Sequence, residues 1–225
     1  MNIERFRKLY DICRQSWYGD DIIKFVRGFF FRDLFRQKLK IINYGSVRFV
    51  YKEVIGGGNI MIVGKHSLLN RVALKIGGCN NEIVIGDGCR FGHGCRILLL
   101  GNNMKLHIGD NSSFSHDDEL LVQEDGVKIK IGDDCMFSHH INVRTSDAHP
   151  IYDIQTGERS NKAKDVIIGN HVWITAHCII QKGCQIGSGS IIATHSVVTK
   201  SIPDNCVAAG IPAKVVKENV RWERK

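Results

Sequence analysis

The sequence predicts a parallel β-helix, a coil wound from three short strands per turn, on three observations. From Ile168 to Val198 an aliphatic residue falls at every sixth position (Ile168, Ile174, Ile180, Ile186, Ile192, Val198), with small or polar residues between. Neither a helical nor a period-2 strand pattern gives a strict sixfold recurrence, whereas a three-sided coil does, because each face sends one aliphatic side chain to the axis. The same signature opens Ile85-Gly86-Asp87, Ile108-Gly109-Asp110 and Ile131-Gly132-Asp133, whose starts are 23 residues apart. Three hexads consume 18 residues, so each of these turns carries five more, expected as small loops at a corner of the prism. Third, 23 glycines against three prolines suit tight, repeated corners.

Residues 1–55 read as a basic amphipathic α-helical segment: Met1 to Lys40 holds ten Lys/Arg against five Asp/Glu, interleaved with phenylalanines from Phe25 to Phe35. Its simplest role is to cap the open end of the coil, which every solenoid needs. A basic helix with a Phe-rich face can also lie on an anionic membrane. No apolar run approaches the roughly 18 residues of a membrane span. Residues 56–216 form the β-helix domain, beginning with a weaker copy, Val63-Gly64-Lys65-His66-Ser67, and residues 217–225 form a basic tail. From Ile131 to Ile168 the step is 37 residues, about two coils, but 145–164 lose the pattern. One corner therefore throws out a long loop, and loops on a rigid scaffold tend to carry function.

The eight cysteines form no CxxC pair, and Cys89, Cys135 and Cys184 take the small fifth position of their hexads, where an inward thiol packs like a small hydrophobe. With no secretory leader pattern, the expectation is a reduced, cytoplasmic protein. The net charge of +8 points to anionic partners. Nucleic acid is not among them, because the repeats present no aromatic or helical readout element. His93, His116 and His139 recur at the 23-residue spacing, a column that invites a zinc site. Its outer members would stand roughly 9–10 Å apart on the strand-spacing rule, too far to share an ion, so no metal is expected.

His149, in Ser146-Asp147-Ala148-His149-Pro150, is the foremost chemical candidate. It stands at the root of the long loop, Pro150 fixes the backbone after it, and an indole, Trp173, follows downstream. Asp147 reads first as a loop-shaping residue.

Together the isoleucine-led hexads, Asp147-Ala148-His149-Pro150, Ile168-Gly169-Asn170-His171-Val172-Trp173-Ile174 and Ala208-Ala209-Gly210-Ile211-Pro212-Ala213-Lys214 resemble the hexapeptide-repeat O-acetyltransferases that use acetyl-CoA. The stretches Asp147 to Tyr152, Gly157-Glu158-Arg159 and Lys217 to Lys225 are most similar to the capsular polysialic acid O-acetyltransferases. The basic, Phe-rich leader looks more like that of other capsule and O-antigen acetyltransferases. The resemblance implies a left-handed coil, an exception to the usual crossover hand, and a homotrimer with active sites between subunits. It implies His149 as the catalytic base and Trp173 beside both the pantetheine arm and the acceptor. Coenzyme A contacts are implied at Ala176, Thr194, Thr199, Lys200, Lys214 and Lys217. His139, His140, Arg144 and Asp147 are the further candidates for the acceptor side.

The chemistry is consistent on its own terms. A sugar hydroxyl is a poor nucleophile near pH 7, and a neutral imidazole can take its proton as the oxygen attacks the thioester. The expected activity is acetyl transfer from acetyl-CoA to a hydroxyl of a bacterial surface polysaccharide, sialic acid-containing glycans first. The alternatives are a small acceptor (a galactoside or maltose, a streptogramin, serine) and a non-enzymatic β-helical scaffold.

Overall fold

The computed structural model describes residues 38–224, which form an all-β solenoid of 21 strands with no helix among the described residues. One face stacks Leu39–Asn43, Asn59–Val63, Glu82–Ile85, Lys105–Ile108, Lys128–Ile131, Val166–Ile168 and Gln185–Ile186 in parallel. The second face runs through Arg90–Phe91, Ser113–His116, Met136–His139, Trp173–Ile174, Ile191–Ile192 and Val207–Gly210. The third runs through Arg96–Leu100, Glu119–Gln123, Asn142–Arg144, Ile179–Ile180 and Val197–Val198. Leu68–Gly77 joins the last two: its start pairs with Arg90–Phe91 and its end with Arg96–Leu100, and the left-handed Arg71 (φ 55°) marks the bend between them.

The hexad isoleucines build the core. In register, Val63, Ile85, Ile108, Ile131, Ile168 and Ile186 stack up the first face, all within 2% of full burial. Each such side chain contributes about 1.5–3 kcal/mol relative to exposure. On the second face Phe91, Phe114 and Phe137 stack at 4.2 and 4.4 Å between ring centroids.

The Gly-Asp that follows each leading isoleucine has a structural cause. Asp110 Oδ1 accepts from the Asp87 amide (2.8 Å), Asp133 Oδ1 from the Asp110 amide (2.9 Å) and Asn170 Oδ1 from the Asp133 amide (2.9 Å). A Cβ at Gly109 would lie 2.1 Å from Asp133 Oδ1, so the ladder of side-chain oxygens requires glycine beside it. The buried cysteines join a similar column. Cys89 and Cys135 donate to the carbonyls of Gly109 and Gly169, as Ser112 does to that of Gly132. Burial pushes both thiols up to about 11, far from the thiolate a nucleophile needs.

Three expectations are corrected. The helical segment does not extend to residue 55: Leu39–Asn43 and Ser46–Ile55 are strands of the coil, paired with Asn59–Val63 and Leu68–Gly77. The basic residues there alternate with apolar ones, the period of a half-buried strand. Residues 1–37, with the amphipathic helix and its membrane role, lie outside the described residues. The five extra residues of the 23-residue coils are not corner loops. They lengthen the strands: Arg96–Leu100 and Lys105–Ile108 hold five and four residues where Ile179–Ile180 and Gln185–Ile186 hold two each. Finally, Ile131 pairs directly with Ile168, so the 37-residue step is one coil with an insertion at its third corner, not two coils. A coil closes by pairing with its neighbour, which leaves corner length unconstrained.

Candidate functional site

The long corner loop is braced by polar contacts to the coils around it. Arg159 donates twice to Glu124 (Nη1 to Oε2 and Nη2 to Oε1, 2.7 Å each), a bidentate pair that Ser146 joins through its hydroxyl. The guanidinium and, less, the hydroxyl hold the Glu124 carboxyl below its usual range. Asn161 closes the root of the loop. Its Nδ2 donates to Asp147 Oδ2 (2.9 Å) and to the His149 carbonyl (2.8 Å), and its Oδ1 accepts from the Ile151 amide (2.7 Å). Lys182, on the corner of the next coil, donates to Asp147 and to the Asn161 carbonyl. The ammonium beside Asp147 holds that carboxyl low.

His149 is thus held by its backbone while its side chain is exposed, and its imidazole makes no hydrogen bond among the described residues. Asp147, two residues earlier, is committed to Lys182 and Asn161. Beyond the root, Ile151, Tyr152 and Ile154 are all more than half exposed.

Trp173 lies on the second face, between Met136 and Ile191 in register. Its Nε1 is buried with no partner among the described residues. The chain's last residues run back over this face. Trp222 stands 5.9 Å from Trp173, stacks on His171 at 4.0 Å and donates its Nε1 to the His171 carbonyl (2.9 Å). The His171 ring is placed between Asp134 Oδ2 (2.6 Å) and the Trp222 carbonyl (3.0 Å), which raise its pKa, the carbonyl more. Arg224 completes the strap with an ion pair to Asp134 and a bond to the Cys135 carbonyl.

The remaining candidates divide between two corners. Ala176 and Thr194 lie on the corner between the second and third faces, where the Ala176 carbonyl accepts from the Thr194 hydroxyl (2.8 Å) and the His195 amide (3.0 Å). Thr199 and Lys200 lie exposed on the corner between the third and first faces, the corner that carries His149. Lys214 and Lys217 are exposed on Ala213–Lys217, which folds back antiparallel on Val207–Gly210. Arg144 is half-buried and donates its Nε to Asn142 Oδ1 (2.7 Å). One protomer therefore does not bring His149 together with Trp173, Ala176 and Thr194.

His139 and His140 belong to a longer array. Along the corner between the second and third faces, His93, His116, His139, His140, His177 and His195 form a continuous ladder with centroids 4.7–5.4 Å apart between successive stacked rings and 5.5 Å across the edge-on step from His139 to His140. His140, His177 and His195 all take left-handed φ values of 55–60°. Beneath it Asp118 is 2% exposed, and burial pushes its carboxyl up to about 7. The 23-residue spacing exposed only the lower three histidines, because the ladder shifts by one position at His139-His140. Asn161, Lys182, Glu124 and Trp222 were also missed. Lys182, Glu124 and Trp222 act across coils and Asn161 across the root of its own loop, and only registering the corners on one another would have placed Lys182 beside Asp147.

A three-sided parallel coil with a histidine-bearing corner loop is a β-helical solenoid, and comparisons with known proteins assign its class. Residues 165–200 match the bacterial transferase hexapeptide (six repeats) family model. A solved polysialic acid O-acetyltransferase, OatWY, is 31% identical with a TM-score of 0.68, covering 83% of this chain and 90% of that one. The polySia-specific acetyltransferase NeuO is also 31% identical, with a TM-score of 0.54 over 84% and 90% of the two chains. A curated polysialic acid O-acetyltransferase of Escherichia coli O1:K1 / APEC is 43% identical over 82 residues, 36% of this chain and 27% of that protein. That of Neisseria meningitidis is 40% identical over 84 residues, 37% and 39% of the two. The chain thus spans well under half the length of the curated relatives it matches. It belongs to the hexapeptide-repeat acetyltransferase family.

Proposed function

We propose that this protein is an acetyl-CoA-dependent O-acetyltransferase that modifies a hydroxyl of a bacterial surface polysaccharide or its lipid-linked precursor, sialic acid-containing glycans first. The observation that carries this reading is the exposed imidazole of His149, held by its backbone at the root of a loop braced by Asn161 and Lys182. His149 takes the proton of the acceptor hydroxyl as its oxygen attacks the thioester carbonyl. The tetrahedral intermediate collapses with loss of the coenzyme A thiolate, which takes the proton back from the imidazolium. General-base help of this kind contributes about 10²–10⁴-fold.

The division of the candidates between two corners supports a homotrimer of left-handed coils, in which the His149 corner of one subunit faces the Trp173, Ala176 and Thr194 side of the next. The exposed Ile151, Tyr152 and Ile154 supply apolar surface for such a contact. Thr199, Lys200, Lys214 and Lys217 are placed for the anionic end of coenzyme A, and the unpartnered Trp173 Nε1 offers a donor to the pantetheine arm. His139, His140, Arg144 and Asp147 lie toward the acceptor. Residues 56–216, with the strands Leu39–Asn43 and Ser46–Ile55 that pair with them, act as the catalytic domain of a cytoplasmic protein, residues 217–225 as its tail and residues 1–37 as the cap or membrane-facing segment. No helix among the described residues is long and apolar enough to cross a membrane.

The test is thiol release from acetyl-CoA by wild type and His149→Ala against polysialic acid, other acidic and neutral capsule glycans, and simple galactosides. Glycan-dependent release lost in the variant supports the reading. Equal release by both proteins removes His149 as the base.

A further inference from the structure

The lower end of the histidine ladder gathers three ligand-bearing side chains on adjacent coils. His93 and His116 stack with centroids 5.4 Å apart and planes 8° from parallel, and His116 Nδ1 lies 3.0 Å from Asp117 Oδ2. One ring nitrogen of each histidine and one carboxylate oxygen of Asp117 all fall within 4.8 Å of one another. The backbone is shaped to allow it. Asp117 takes a left-handed φ of 57°, and a Cβ on Gly94 in the coil below would stand 2.0 Å from Asp117 Oδ1. Glycine at that corner leaves the carboxylate room beside His93. The His93 ring makes no hydrogen bond to protein among the described residues.

We propose that His93, His116 and Asp117 form a binding site for a divalent transition metal of the zinc class. Two imidazoles and a carboxylate suit zinc, cobalt or nickel, whereas magnesium and calcium take all-oxygen shells. Nitrogens at about 2.0–2.1 Å from a tetrahedral ion stand roughly 3.3 Å apart. Binding requires the exposed His93 ring, the half-buried His116 ring and the exposed Asp117 carboxylate to close the present 4.8 Å spread to about that distance. The distance argument against a metal holds for the outer members of the column, His93 and His139, but not for neighbours on successive coils. Three protein ligands leave a fourth position for water or an anionic group. Within one subunit the site lies on a different corner from His149, and it does not depend on the acetyl-transfer reading.

The test uses the full chain without a histidine tag, stripped with chelator and titrated with Co²⁺, read by its visible ligand-field bands, with Zn²⁺ as calorimetric competitor. Wild type is expected to take up a single equivalent. His93→Asn, His116→Asn and Asp117→Asn should each weaken it about tenfold or more, while His177→Asn on the upper ladder leaves it unchanged. Asparagine tolerates the left-handed backbone at 117, and unchanged metal-free melting separates lost binding from lost fold. If a variant does not fold, cobalt-loaded wild type decides, with two paramagnetically shifted imidazoles expected. Absence of saturable binding, wild-type affinity in folded variants, or loss of the site in His177→Asn would each overturn the assignment.

Discussion

The wide coils between Glu82 and Arg144 and the hexad coils between Val166 and Val198 turn on similar corners and differ in their strands. Lys105–Ile108 buries Leu106 with Ile108, and Arg96–Leu100 buries Ile97 with Leu99. Gln185–Ile186 and Ile179–Ile180 each bury one aliphatic residue. Residues added to a strand go on alternating between its two faces, because the strand period is two, so a coil can widen by burying a second aliphatic residue per strand without turning its core outward. The loop that holds His149 leaves the third corner where this width is lost, between Asn142–Arg144 and Val166–Ile168. The difference teaches that the thick half doubles the buried aliphatic residues per strand while the long loop leaves at the taper.

The most severe way to break that comparison is to hollow the thick half. Phe114→Ala, between Phe91 and Phe137, should cost about 3–5 kcal/mol in denaturant unfolding, and a loss under about 1 kcal/mol would show that the phenylalanine stack is not what stabilises it. At the taper, Asn161→Ala should slow acetyl transfer roughly 10–100-fold by loosening the His149 backbone, with KM for acetyl-CoA nearly unchanged. An equal loss of thermal stability and rate would make Asn161 merely structural. In the thin half, Ile180→Val should cost about 0.5–1.5 kcal/mol, and a cost matching that of Phe114→Ala would erase the distinction between the halves.

The smallest effect concerns the strap over the thin half. His171 has a raised pKa in the folded protein, through the Trp222 carbonyl and Asp134. Its contribution is therefore complete below the ordinary histidine value near 6.5 and fades as pH rises through the higher folded value. Tryptophan fluorescence should report Trp222 loosening from neutral toward alkaline pH in wild type and no such transition in His171→Asn. A transition retained in the variant would assign the change to another group.

Much of this was legible from particular residues. The sixfold aliphatic spacing from Ile168 to Val198 became the stacked core, and Ile85, Ile108 and Ile131 proved to be partners in one ladder. The Gly-Asp after each leading isoleucine was legible only as a signature, since the reason for it is the aspartate of the following coil. His149 stood out because its loop interrupts a repeat. The partners that brace it did not, because Asn161, Lys182 and Glu124 obey no local pattern.

What the sequence determined by itself is the periodic part: a three-sided parallel coil, its inward residues, and the place where the repeat breaks. Periodicity is a local property, and burial of one residue in every hexad leaves a coil as the simplest structure that satisfies it. Tertiary structure decided the width of each coil, the inclusion of Leu39–Asn43 and Ser46–Ile55 as strands, the closure of the 37-residue step in a single turn, and the meeting of six histidines on one corner. These depend on register between coils. Register is set by pairing across 16 to 37 residues of chain, which no local pattern records.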